Sequence, residues 1–325
     1  MTISIVFIGK NAAHLIEENY INRPFPELDF ATEIIYVDSD SSDNSVALVK
    51  QLGWNCIELS SKGRLSAAAG RHIGTLQAKG DYILYLDSDM VLNLVNNKTI
   101  PDLIAKHTDK LNVSGFGGIT IDVINSKKRK RIKREKDGQN ASTYGGFVLL
   151  NRKDVLEAGN WNGNVIANEE NELYARLIKN NKKVLISRDM ECFHYTDRPS
   201  SRINILLNTY YPFTAKSKFV YGAPGLGLKS AIKNKSWKIY LKKFNREALF
   251  FALVFFVIIL LELFRPFNFI YRFAAYVILF ILFLYIVSLK RSIFFAVICP
   301  ALFIQLVYGY FIYNEKAIVV KKAHE

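Results

Sequence analysis

The sequence predicts an α/β domain with a mostly parallel sheet covered by helices on both faces, followed by transmembrane helices. Three observations carry this prediction. Short apolar runs alternate with helical stretches through residues 1–200, acidic residues fall at the ends of those runs, and the last third holds three long, almost uncharged runs. The 325 residues are 50% hydrophobic and 22% charged, which excludes a disordered chain.

Taken in order, Ile3–Ile8 reads as a strand, with a helix through Leu15–Tyr20. Glu33–Val37 is a second strand, followed by a helix over Val46–Leu52, and Cys56–Leu59 is a third. A helix then runs from Leu65 to Lys79, stopped by Gly80, and Tyr82–Leu86 is a fourth strand. Strand–helix alternation with apolar strands places a parallel sheet between helical layers, and ligands at its carboxyl edge. Residues 248–264, 273–289 and 292–313 are apolar enough to read as membrane spans, the first carrying only Glu262. A hydrocarbon core needs about 20 helical residues, so the first two runs require flanking Arg265 and Arg272 to snorkel. The domains expected are therefore 1–200, a soluble α/β unit; 201–246, a membrane-interface collar; and 247–325, about three spans.

Charge follows the same division. Residues 1–125 hold ten Lys and Arg against fifteen Asp and Glu, and residues 201–325 hold seventeen against four, within a net charge of +14. The collar has ten basic residues over 202–246 and no acidic ones, interleaved with aromatics such as Tyr210, Phe219 and Trp237. Beside apolar spans this composition fits anionic membrane lipids and not nucleic acid. The segment 127–136, KKRKRIKREK, is either a solvated loop or an anion-binding flap. Cys56, Cys192 and Cys299 are odd in number and have no CxxC spacing, which argues against a disulfide framework or a cysteine zinc site. No signal peptide opens the chain, so the first unit is expected in the cytoplasm, attached to the inner (plasma) membrane as a multi-pass protein. Three spans would put the C-terminal tail on the far side. If the first run instead lies in the interface or re-enters, the tail returns.

The chemistry concentrates at strand ends. The second strand finishes in YVDSDSSDNS, with Asp38 and Asp43, and the fourth in LYLDSDM, with Asp87 and Asp89. Side chains two apart in an extended segment share a face, so this pair repels unless a cation separates it. Mn²⁺ or Mg²⁺ suits such a site, being a hard ion that takes few protein carboxylates and fills its shell with water and phosphate oxygens.

In order and wording these segments resemble the family 2 inverting glycosyltransferases of the GT-A fold. The matching stretches are SIVFIGKNAAHL, VDSDSSDNS, AGRHIGTLQAKGDYILYLDSD, GGFVLLNRKDVLEAGNW and EENELYARL, covering about residues 3–196. The resemblance implies a nucleotide-sugar donor bound by Asn11, Asp38, Asp43, Arg71 and Asp87. It implies a metal held by Asp89, with Asp87 and the late His194. Gly145 and Gly146 would admit the acceptor, and Glu170 would be the catalytic base beside Glu169. His72 replaces the usual Asn, and Glu170 the usual Asp. Trp161 either stacks on an acceptor sugar or fills the core. Arg71 and His194 each have a structural alternative, as a surface helix charge and a satisfied histidine.

The expected activity is transfer of one sugar to a lipid-linked saccharide in cell-surface polysaccharide or glycolipid synthesis. No Trp is preceded by Arg, so the Q/R-x-x-R-W signature of the processive synthases is missing. The alternatives are a polyprenyl-phosphate sugar synthase, a sugar nucleotidyltransferase, and a non-catalytic membrane scaffold. GKNAAH lacks the glycines and Arg that a nucleotidyltransferase needs after its first strand.

Overall fold

The computed structural model describes residues 1–22, 31–95, 98–106, 110–131, 135–196, 222–244, 246–264, 276–279, 303–311 and 315–324. The chain divides into two units, Met1–Pro199 with Asn314–Glu325, and Ser200–Tyr313.

In the first unit, β1 (Ile3–Gly9), β2 (Glu33–Asp38), β3 (Asn55–Leu59) and β4 (Tyr82–Asp87) lie parallel in the order β3-β2-β1-β4. Ile5, Val6, Ile35, Val37, Ile83 and Leu84 are fully buried, as in strands covered on both faces. Between them run α1 (Ala13–Ile16), α2 (Ser45–Gln51) and α3 (Ala67–Gln77). The α3 helix starts where the Ser66 hydroxyl accepts the Ala69 N–H at 3.0 Å. It packs so closely on β1 that a Cβ at Gly74 would stand 2.3 Å from Val6 Cγ1. That approach sets the depth at which α3 delivers Arg71 to the carboxyl edge.

Beyond β4 the sheet continues as β8 (Val148–Asn151), β6 (Val113–Ile124), β9 (Lys183–Tyr195) and β5 (Met90–Leu94), with β7 (Lys127–Lys130) hairpinned onto β6. The helices of this half are α4 (Ile100–Ala105), α5 (Arg152–Glu157) and α6 (Glu169–Lys179). Among the described residues four strand pairs in the sheet are parallel and five antiparallel. A mostly parallel sheet is therefore correct only for the first four strands, and the whole is mixed. β6 and β9 pair in parallel over most of their length, with a register shift at Gly117/Ile119.

The tail adds a strand that the sequence did not predict. β10 (Val320–His324) runs antiparallel to β3. Ahead of it, Ser60 N–H donates to Val319 O and Arg64 N–H to Ala317 O, each at 2.7 Å, and Lys316 N–H donates to Asn164 Oδ1 at 2.8 Å. The chain thus leaves the first unit at Pro199 and rejoins it at Asn314. The residues after Asn314 belong to the first unit and extend its sheet at the β3 edge.

The second unit is helical where described. α7 (Ala223–Lys233) has Pro224 in its first turn, where a missing N–H costs nothing. A short turn at Trp237–Ile239 and a π-helical turn at Tyr240–Phe244 follow, then α8 (Arg246–Phe264). Tyr240 is buried against α7, its hydroxyl 3.3 Å from Pro224 O. Among the described residues no helix is long and apolar enough to cross a membrane. Most of the second expected span, 273–289, and much of the third, 292–313, lie outside the described residues, as do residues 202–221 of the collar.

Candidate active site

The carboxyl ends of β1, β2 and β4 meet the start of α6 and the loop before β8. Asp38, the last residue of β2, is 1% exposed. Its carboxylate accepts from Ser41 N–H at 2.7 Å and Ser41 Oγ–H at 2.5 Å. Burial pushes its pKa up against those two bonds. Asn11, with φ of 51°, accepts the Ser42 N–H at 2.9 Å on Oδ1 and so ties the β1 turn to the β2 turn. Asp43 spends its oxygens on the same loop, accepting from Ala13 N–H and Ser45 N–H, each at 3.0 Å, and from the Ser45 hydroxyl. Burial opposes its charge, but those bonds hold its pKa below the usual range. Asp43 shapes this loop, and Asp38 is the acid beneath it.

Arg71 is the buried centre. Its Nη2 donates to Asp87 Oδ1 at 2.6 Å and its Nη1 to Glu169 Oε1 at 2.5 Å, while the guanidinium lies 5.2 Å over the Trp161 ring. Burial works against its charge, and Asp87 and Glu169 more than offset this, raising its pKa. Arg71 Nε is buried with no partner. The surface-charge alternative for this residue is excluded. Gly146 is needed here for space, since a Cβ would sit 2.6 Å from Arg71 Nη2 and 3.3 Å from Asp87 Oδ2. Gly145 is needed for its backbone, at φ of 78°. Trp161 is 1% exposed and packs edge-on against Tyr85 with ring centroids 5.2 Å apart. Its face is closed beneath Arg71, so it supports the floor and cannot stack on an acceptor sugar. His72, the departure from the family wording, has Nδ1 2.7 Å from Trp161 O.

Asn168, in the left-handed region, turns the chain into α6 so that Glu169, Glu170 and Glu172 fall in the positive first turn. Successive helical residues diverge by about 100°, and the two leading acids separate accordingly. Glu169 turns to Arg71, and Glu172 to Arg176 with Nη2–Oε2 at 2.5 Å. Glu170 is half-buried and outside these ion pairs. Burial first, then the Glu169 charge, push its pKa up to about 7, against the pull of Arg71. Tyr144, 2% exposed in the loop before Gly145, has an unpartnered hydroxyl and feels the Glu170 charge. Sequence reasoning missed it because nothing local marks a tyrosine as facing a helix start 25 residues on.

The Asp89 end is more open. The Asp89 backbone carbonyl accepts from Tyr195 N–H at 2.8 Å, which brings the end of β9 alongside. His194 Nε2 lies 3.4 Å from Asp89 Oδ2, and its Nδ1 lies 2.7 Å from Asp122 Oδ1. Burial lowers the His194 pKa, but Asp89 and Asp122 outweigh it, for a net rise. Arg131, from the basic segment, holds Asp122 through Nε at 3.1 and 3.0 Å and Nη2 at 2.7 Å. So β7 is an ordered strand and not a loop, with Lys127, Lys128, Arg129 and Lys130 all exposed.

Among the described residues no group of three His, Cys, Asp or Glu is gathered as a metal cage. Asp89 Oδ1, however, is buried with no partner. A carboxylate with one oxygen, Oδ2, beside an imidazole nitrogen and the other, Oδ1, unpartnered fits a cation that draws its other ligands from a bound diphosphate.

Residues 28–164 match the Glycosyl transferase family 2 model. That stretch takes in Asp38, Arg71, Asp87, Asp89 and Gly146 and ends before Glu169. Comparison with curated proteins gives no match. Among solved structures, GalNAc-T7 with UDP, GalNAc and Mn²⁺ is 12% identical with a TM-score of 0.48, over 76% of this chain and 57% of that one. S. aureus TarS 1-349 in complex with UDP-GlcNAc is 14% identical with a TM-score of 0.48, over 72% of this chain and 73% of that one. The chain thus spans little more than half of the GalNAc-T7 structure.

Proposed function

We propose that the chain is a family 2 glycosyltransferase of the GT-A type. It moves one sugar from a nucleotide-diphosphate sugar to a hydroxyl of a lipid-linked saccharide, inverting the anomeric carbon. The observation that carries this reading is Glu170, a half-buried carboxyl beside the Arg71–Asp87 pair, with its pKa pushed up to about 7. A general base works best with a pKa near the operating pH. A lipid phosphate is already anionic and would need no such base, so the hydroxyl acceptor is favoured over the polyprenyl-phosphate synthase.

Asp38 and Asn11 bind the base end of the donor, while Arg71 and Asp87 hold its sugar and diphosphate. Gly145 and Gly146 leave room for the acceptor. Glu170 takes the acceptor proton as the acceptor oxygen bonds to the anomeric carbon and the diphosphate leaves with the C–O electron pair. Asp89 and His194 would hold Mn²⁺ or Mg²⁺, which would supply Lewis-acid stabilisation of the departing diphosphate.

The second unit attaches this centre to the cytoplasmic face of the inner membrane and its anionic lipids. Leu253, Phe256, Ile259 and Leu263 of α8 are exposed at helical spacing, and Trp237 is 42% exposed beside Lys238. An apolar groove of about 300 Å³, lined by Leu228, Ile232, Phe303, Val307 and Phe311, suits a lipid chain. With the tail paired on β3, this reading has the unit cross the bilayer an even number of times or lie in its surface.

The test is to incubate detergent-purified protein and a lipid extract with labelled nucleotide sugars. One donor is expected to give a labelled lipid with Mn²⁺ or Mg²⁺ and none with chelator. Hydrolysis or transfer from no donor in the panel would overturn the reading.

A further inference from the structure

We propose that Asp122 is a positioning residue of the metal site, one whose carboxylate fixes the His194 imidazole so that Nε2 is presented to the cation at Asp89. This rests on the metal reading above. Asp122 on β6 and His194 on β9 are register partners in a parallel pair, and partners across adjacent strands project to the same face. Their contact, Nδ1 to Oδ1 at 2.7 Å, follows from that register. An imidazole that donates from Nδ1 keeps its Nε2 lone pair free for a metal, and a carboxylate behind a metal-bound histidine raises its basicity.

Arg131 completes the arrangement. Its three contacts to Asp122, at 2.7–3.1 Å, lock the carboxylate in a forked pair. Arg131 Nη2 also lies 3.0 Å from His194 Nδ1, but a nitrogen that already carries a proton for Asp122 cannot accept one from the guanidinium. Arg131 therefore acts on the imidazole through Asp122. At the far side of the ring, Tyr195 N–H fixes the Asp89 backbone, so the ring is held at both nitrogens by ordered groups. The simpler role, in which Asp122 only braces the basic hairpin through Arg131, would leave His194 unaffected by its loss.

The experiment is a Mn²⁺ titration followed by electron paramagnetic resonance, with UDP present, on the full chain and its variants. Alongside it, the ring nitrogens of His194 are read by NMR in the metal-free protein. Asp122→Leu is expected to weaken Mn²⁺ binding about 10–100-fold, the usual cost of losing such a partner, and to shift the His194 tautomer away from Nδ1–H. Asp122→Asn keeps an acceptor oxygen and falls between. Arg131→Gln, which leaves the His194 contact in place, loses less than Asp122→Leu. Mn²⁺ affinity and tautomer both unchanged in Asp122→Leu would overturn the role of Asp122 alone. No Mn²⁺ binding by the unaltered chain would overturn the metal reading and this proposal with it. Should Asp122→Leu fail to fold, Asp122→Asn decides, and an affinity equal to the unaltered chain's would overturn the proposal.

Discussion

Asp87 and Asp89 are two residues apart on one turn, yet they belong to two different kinds of cluster. Asp87 joins Arg71 and Glu169 in a network whose centre is 2% exposed and in which both Arg71 ion pairs are already made. Asp89 joins His194 across 3.4 Å, is 36% exposed at its side chain, and keeps one oxygen without a partner. The first cluster is finished before any ligand arrives. The second is held at its rim by Asp122 and Arg131 and stays open at its centre. A site built this way sets groups already locked in ion pairs beside a carboxylate that keeps an open ligand position, and the two can be told apart by how much stability each mutation removes.

The largest expected effect is in the closed cluster. Arg71→Met strips the countercharge from Asp87 and Glu169, leaving uncompensated carboxylates in a buried setting. Breaking a buried pair by removing one partner costs about 3–5 kcal/mol. Urea unfolding of the variant should show a loss of that order, and adding Glu169→Gln should recover part of it. A variant as stable as the unaltered chain would mean that the network contributes nothing to folding.

Next in size is the loss of the base. Glu170→Gln should lower kcat by about 10²–10⁴ while donor binding persists, the range for removing a general base from an attacked hydroxyl. In the unaltered enzyme the base must be ionised, so turnover should rise with pH through about 7, the pKa of Glu170. A flat profile between pH 5.5 and 8.5, or near-normal turnover by Glu170→Gln, would point to a phosphate acceptor instead.

The same residue has a smaller effect on folding. The Glu170 pKa is raised from 4.5 to about 7 on folding. Below about 4.5 both states hold the proton, and the group is neutral in each. As pH rises toward 7 the unfolded chain ionises more readily than the folded one, so stability falls across that window and levels off above it. Glu170→Gln should therefore melt higher than the unaltered chain at pH 8 and at the same temperature near pH 4. A difference that does not grow between those pH values would remove burial as the source of the shift.

How much of this was legible in the sequence differs between the clusters for a physical reason. Asp38, Asp87 and Asp89 stand at the ends of uninterrupted apolar runs, so the strand and its terminal acid could be read together. Glu169 and Glu170 could be separated by the angular step of a helix alone. Asp122 could not be found, because β6 opens SGFGG, too glycine-rich to read as a strand, and its facing of His194 depends on pairing with a segment 72 residues later. Arg131 was visible only as one charge in a basic run. The tail was missed because VKKAH carries no alternation of its own and becomes a strand only by adding to β3. Trp161 showed no signal that could distinguish a closed ring from an open one.

The smallest expected effect on folding is also the sharpest test of the contrast. Asp89→Asn removes a charge whose one ion-pair contact among the described residues is to His194 at 3.4 Å. Half-exposed pairs of this kind are worth about 0–1 kcal/mol. The backbone carbonyl of residue 89, which holds Tyr195, survives the change. Urea unfolding should therefore move by no more than about 1 kcal/mol, while metal-dependent turnover is lost. Set beside Arg71→Met, it gives different signatures at the two clusters that meet on this turn: stability falls at the closed one, and chemistry without stability at the open one. If Asp89→Asn unfolds as readily as Arg71→Met, the Asp89 end is part of the folding network and not a place kept open for a cation.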